Sequence, residues 1–101
     1  MWQIIAFDLP VDDKPKQKIY RTFRKKLIEA GYTSIQKSLF CRWFESLEKA
    51  RASQNLFCAS PPKNGNIFAI GVPDETFSNY VHISDNSIIP DSQPPKPWSI
   101  L

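Results

Sequence analysis

From Trp2 to Phe7 the chain is an almost unbroken apolar run, Trp2, Ile4, Ile5, Ala6 and Phe7, which suits a strand buried on both faces better than a half-wet one. Asp8 is the only ionisable side chain of this segment, and Leu9-Pro10 ends the strand, since proline has no N–H to donate. Asp8 is therefore expected at the mouth of a central strand, a place suited equally to a solvated turn and to a carboxylate that meets a metal or a partner. A helix is predicted over residues 14–30. Asp12 or Asp13 can cap it, Pro15 fits its first turn and Gly31 ends it. Ile19, Phe23, Leu27 and Ala30, widened by Tyr20 and Ile28, form the stripe that packs on the sheet.

At Tyr32 the period changes from about 3.6 to 2, and YTSIQKSLFCRWF is rich in aromatic and β-branched residues. Neither alternating set is cleanly apolar, so two strand segments with a bulge or bend near Ser38–Cys41 are expected. Ser46-Leu47-Glu48 opens a second helix over 46–58, with Leu47, Ala50, Leu56 and Phe57 as its core positions. Pro61-Pro62-Lys63-Asn64-Gly65 reads as a turn into a strand at Ile67–Val72. Residues 74–84 are expected to hold a helical turn around Phe77 and a last strand at Tyr80–Ile83. From residue 85 onward the composition shifts to Asn, Ser, Pro and Asp, an extended tail with Pro90, Pro94, Pro95 and Pro97. The division is thus one domain over 1–84 and a Pro-rich C-terminal tail over 85–101.

The order strand, helix, strand pair, helix, strand is the ferredoxin-like βαββαβ pattern, an α+β sandwich with two helices on one face of an antiparallel sheet. One face is then left bare. With 13% aromatic residues in 101, that face is a large apolar patch, and a twofold dimer through the sheet is expected to cover it.

Charge sharpens this picture more than composition does. The net charge is +3, but residues 14–51 carry eleven bases and three acids, while the segments on either side are net acidic. A local cationic block is the footprint expected for a polyanion. Lys14, Lys18, Arg21 and Lys25 fall together on the helix face opposite the apolar stripe, and Lys14, Lys16 and Lys18 oppose the helix dipole unless an anion lies near. With Lys37 and Arg42 they form the expected set of phosphate contacts. Two cysteines, Cys41 and Cys58, and one histidine, His82, do not make a four-ligand metal site. The cysteines are expected as packed thiols. No apolar run approaches the roughly 20 residues that span a bilayer, and the chain is expected to be cytoplasmic.

The segments IIAFDLP, YRTFRKKLIEAGY, IQKSLF with the following CR, SLEKA, PPKNG and VPDETF, in this order and at these intervals, resemble the CRISPR-associated protein two (Cas-two) family, in the variety accompanying type II systems. The resemblance covers nearly the whole chain. It implies a homodimer that serves as the small subunit of the spacer-acquisition complex, bridging two dimers of the Cas-one integrase and supporting the double-stranded prespacer DNA. The family is also described as a metal-dependent nuclease that uses the carboxylate ending the first strand, here Asp8, which implies a possible magnesium ion shared by two copies of Asp8. One carboxylate without a neighbouring acid or base favours scaffolding over catalysis. A small RNA-binding or toxin-like protein of the same fold is the remaining alternative. The terminal Trp98, Ile100 and Leu101, beside a stiff proline stretch, are expected to dock on the integrase.

Overall fold

In the computed structural model, which describes residues 1–83 and 85, the apolar run forms β1, Trp2–Asp8. It is followed by α1 (Lys14–Glu29), β2 (Thr33–Gln36), β3 (Leu39–Trp43), α2 (Leu47–Cys58), β4 (Asn66–Val72) and a short α3 (Asp74–Phe77). The strands lie in the order β2-β3-β1-β4, every neighbouring pair antiparallel. This is the ferredoxin-like arrangement the element order predicts, with β1 flanked on both sides. The expected tail, with Trp98, Ile100 and Leu101, lies outside the described residues apart from Asp85.

Local chemistry sets the helix ends. The Asp13 carboxylate accepts the Lys16 N–H at 2.8 Å, and Pro15 occupies the first turn of α1. At the other end Gly31 takes φ +89°, a conformation that side chains disfavour, and the Arg42 guanidinium donates to the Ala30 carbonyl at 2.7 Å. In α2 the Ser46 hydroxyl accepts the Lys49 N–H at 3.2 Å.

One sheet face meets α1 and α2. Ile5, Phe7 and Phe40 from the sheet pack with Phe23 and Leu27 of α1 and with Ala50 and Phe57 of α2. The Phe7 ring lies 4.8 Å from Phe23, edge on, and 5.8 Å from Phe40, stacked. Gln3 is buried on the same side of β1 and donates its amide to Gln54 of α2 at 3.0 Å, while Tyr32 and Ser53 share a buried hydroxyl pair at 2.9 Å. The helical stripes are narrower than expected. Ile19 is exposed and Ile28 is 53% exposed, the latter because it stands about 120° around the helix from the centre of the Tyr20–Phe23–Leu27–Ala30 stripe. Likewise Leu47 is exposed and Leu56 is 77% exposed. Leu56 and Phe57 are about 100° apart on a helix, so both cannot face one sheet, and Ser53 takes the place instead.

The expected bend is a two-residue turn, Lys37-Ser38, that separates β2 from β3, with the register shift between Ser34 and Gln36 rather than in Ser38–Cys41. The second sheet face holds Trp2, Cys41 and Phe77, flanked by Ile4, Ile35, Trp43 and Val72. α3 covers one end of it, with Phe77 stacked on Trp2 at 4.7 Å and on Tyr80 at 5.1 Å. Asp74 receives the Trp43 indole N–H at 3.2 Å. The Met1 ammonium first, and that indole after it, hold its carboxyl below the usual range. The last strand does not form at Tyr80–Ile83; only Ile83 makes an isolated bridge. The Asn79 and Tyr80 N–H groups are already spent on the Thr76 and Phe77 carbonyls, so the chain is still turning there.

Both cysteines are free thiols, Cys41 buried and Cys58 half-buried. Burial pushes the Cys41 thiol up to about 12. Because the unfolded thiol ionises at ordinary values, this residue adds stability that is lost as pH rises from that ordinary range toward about 12. With iodoacetamide at mildly alkaline pH, Cys58 should be alkylated and Cys41 spared, and urea should make them equal; mass spectrometry of the labelled peptides reads this out. Equal labelling of the native chain would contradict the buried environment.

Candidate nucleic-acid interface

Asp8 ends β1 opposite Asn66 of β4, and its side chain is exposed while the next residue, Leu9, is buried. It lines a hollow of about 500 Å³ between the end of β1, the middle of α1 and the β2–β3 turn. Arg21, Arg24 and Lys37 line the same hollow, together with the hydroxyls of Tyr20 and Ser38. Two residues of α1 fix the turn that carries Lys37. The Tyr20 hydroxyl donates to the Lys37 carbonyl at 3.1 Å or shares its proton with Ser38 Oγ, also 3.1 Å away. Arg24 Nε donates to the same Lys37 carbonyl at 2.9 Å, and its guanidinium lies 5.4 Å over the Phe40 ring.

On the outer side of α1, Lys14, Lys18, Arg21 and Lys25 are all exposed and stand opposite the buried Phe23 and Leu27. Lys14, Lys18, Arg21 and Lys37 have no ion pair among the described residues, and Lys25 has a long one with Glu29 at 3.9 Å. Lys14, Lys18, Arg21 and Lys37 can meet phosphate without first giving up a carboxylate.

The family model for CRISPR associated protein Cas2 matches residues 1–80. The chain belongs to the Cas2 family. Among similar proteins, the CRISPR-associated endoribonuclease Cas2 of Parvibaculum lavamentivorans is 36% identical over 77 residues, 76% of each chain. The protein of that name from Flavobacterium psychrophilum is 32% identical over 76% of this chain and 67% of its own. A third, from Paracidovorax avenae, is 23% identical over 100% of this chain and 94% of its own.

Besides Lys25, two cations of the expected set are engaged inside this Cas2-family chain. Lys16 Nζ pairs with Asp12 at 3.2 Å and Asp13 at 3.6 Å, which is the anion that relieves its conflict with the helix dipole. The contact with Asp12 raises the Lys16 amine and lowers the Asp12 carboxyl. Arg42 caps the far end of α1 and lies 4.5 Å over the Phe44 ring. A helix of 16 residues is about 24 Å long, so Arg42 is separated by that distance from Lys14. The Lys16 pairs stand at i,i+4 and i,i+3 and were open to reading from spacing, whereas the Arg42 contact was not; the roles of Tyr20, Arg24 and Ser38 were missed, although Arg24 stands one turn from Tyr20 on the same side of α1.

Magnesium prefers octahedral oxygen coordination. Among the described residues no three His, Cys, Asp or Glu side chains converge, and Asp8 is the one carboxylate in the hollow. A single copy would hold a magnesium ion through Asp8 alone, with water filling the other positions. No helix among the described residues is long and apolar enough to cross a membrane.

Proposed function

We propose that this Cas2-family chain is a homodimeric scaffold that binds the backbone of prespacer duplex DNA and bridges Cas-one integrase dimers in CRISPR spacer acquisition. The observation that carries it is the row of exposed bases on α1, opposite the buried stripe, against a single carboxylate in the adjoining hollow. Phosphate contacts fix position without reading sequence, as a carrier of arbitrary spacers requires. The dimer is supported by the second sheet face, where Phe68 is 61% and Ile70 is 45% exposed beyond the end that α3 covers.

A second reading is favoured by the name endoribonuclease carried by the relatives and by the exposure of Asp8. In it, Asp8 supports metal-dependent cleavage of RNA or DNA once a second copy supplies a further carboxylate. Asp8→Asn separates the two, because it keeps shape and removes charge. In the scaffold, the variant co-elutes with the integrase and spacer integration stays within about two-fold of the parent, the size of an ordinary surface substitution. In the nuclease, divalent-metal-dependent cleavage by the isolated protein disappears with the carboxylate. Loss of integration by a folded, dimeric Asp8→Asn protein would overturn the scaffold reading.

A further inference from the structure

The hollow beside Asp8 shares Arg21 and Lys37 with the proposed backbone contacts and adds Arg24, Asp8 and a concave shape that backbone binding along α1 leaves unused. It is concave and, at about 500 Å³, large enough for a nucleotide-sized ligand. Its walls set three cations, Arg21, Arg24 and Lys37, against one carboxylate, an excess of two positive charges. No ion pair joins any of these cations to Asp8 or to another acid among the described residues. One of the three cations is also prearranged. Arg24 is clamped by the Lys37 carbonyl and the Phe40 ring, which leaves its terminal nitrogens only a long contact to Ser34 at 3.5 Å. The turn bearing Lys37 is held by Tyr20 as well, so its backbone loses little freedom when a ligand arrives.

We propose that this hollow is a binding site for a phosphate monoester, with Arg21, Lys37 and the free edge of Arg24 as donors and Asp8 as acceptor for a hydroxyl of the attached sugar. A monoester carries close to two negative charges at neutral pH, matching the excess in the hollow, whereas a diester inside a strand carries one. Planar guanidinium groups suit its several oxygens. Asp8 repels phosphate oxygens but accepts a hydroxyl proton, which orients a nucleotide with its sugar toward β1. The site goes beyond the backbone contacts proposed above, and the same monoester arises from a free nucleotide or from the phosphorylated end of a strand.

Titration calorimetry of the full chain with AMP and with adenosine tests the shared chemistry, and duplexes of one sequence with 5′-phosphate or 5′-hydroxyl ends distinguish the sources. AMP should bind at least about ten-fold more tightly than adenosine, as expected for charge-assisted hydrogen bonds. The double variant Arg21→Gln, Lys37→Gln changes only exposed side chains and should cost AMP at least about ten-fold, while the loss of one charge outside the hollow, by Arg51→Gln on α2, should stay within about two-fold. A preference for the phosphorylated duplex identifies a strand end as the ligand. AMP binding without that preference identifies a free nucleotide. AMP binding no tighter than adenosine, or weakened as much by Arg51→Gln, overturns the proposal, and duplex affinity in the same samples shows separately whether the backbone reading stands.

Discussion

Raising the salt from about 50 to about 200 mM is expected to weaken duplex DNA binding by roughly 10³- to 10⁵-fold. Each copy offers Lys14, Lys18, Arg21 and Lys37 free of carboxylate partners among the described residues, and the proposed dimer would double that number. Between about six and eight phosphate contacts release their counterions, and the loss follows from that number. Replacing Lys14 and Lys18 by Gln removes about four contacts from a dimer and should lower the slope of log affinity against log salt by between three and four. The corresponding change at Lys16 should be smaller, because its amine is already paired with Asp12 and Asp13. Fluorescence anisotropy with duplexes of equal length and different sequence should show one common curve. A shallow slope, or a strong preference among those duplexes, would contradict the footprint.

Phe40→Ala is expected to be the most damaging single change to the fold. Phe40 is fully buried in β3, stacks on Phe7 at 5.8 Å and carries the Arg24 guanidinium over its ring at 5.4 Å. Its truncation removes a large apolar group and leaves a cavity between sheet and helices, costing about 3–5 kcal/mol. A domain near 100 residues has roughly 5–15 kcal/mol in all, so a large part of its stability goes with one ring. In urea the midpoint should fall by at least about 1 M, at fixed protein concentration so that association does not confuse the comparison. Leu56→Ala, on the exposed side of α2, should change stability by less than about 0.5 kcal/mol. A variant lacking Phe40 that melts with the parent would mean that the core is not organised around this ring. Arg24 would also lose the surface that holds it against the β2–β3 turn, so the hollow should loosen before the chain unfolds.

Elements whose signals are local in sequence were readable without coordinates. The start of α1 follows from Asp13 and Pro15, its end from Gly31, and the start of α2 from Ser46, because a cap is satisfied within three or four residues of itself. The apolar run of β1 and its stop at Leu9-Pro10 likewise placed Asp8 at a strand end. Their order then limited the sheet to an arrangement with β1 inside it. Nearest-neighbour chemistry does not tell which of two adjacent apolar residues faces a partner not yet in place. Leu56 therefore stood beside Phe57 as a core candidate until the sheet put Ser53, bonded to Tyr32, in that layer. The hairpin turn replaced a bend, and the expected last strand gave way to a turn in which Tyr80 stacks on Phe77 and Phe77 on Trp2.

The cationic surface divides in the same manner. Helical periodicity alone puts Lys14, Lys18, Arg21 and Lys25 on one side, since their angular positions depend only on the rise and turn of a helix. Arg42 leaves that set because the chain return through β3 brings its guanidinium to the open carbonyl end of α1, a contact between residues 12 apart. The hollow beside Asp8 is assembled from the end of β1, one side of α1 and a turn near residue 38, and no spacing within any one of these announces the others. Charge and period are properties of a segment and can be read along it, whereas a site made where three segments meet exists only after β1, α1 and the β2–β3 turn have packed against one another.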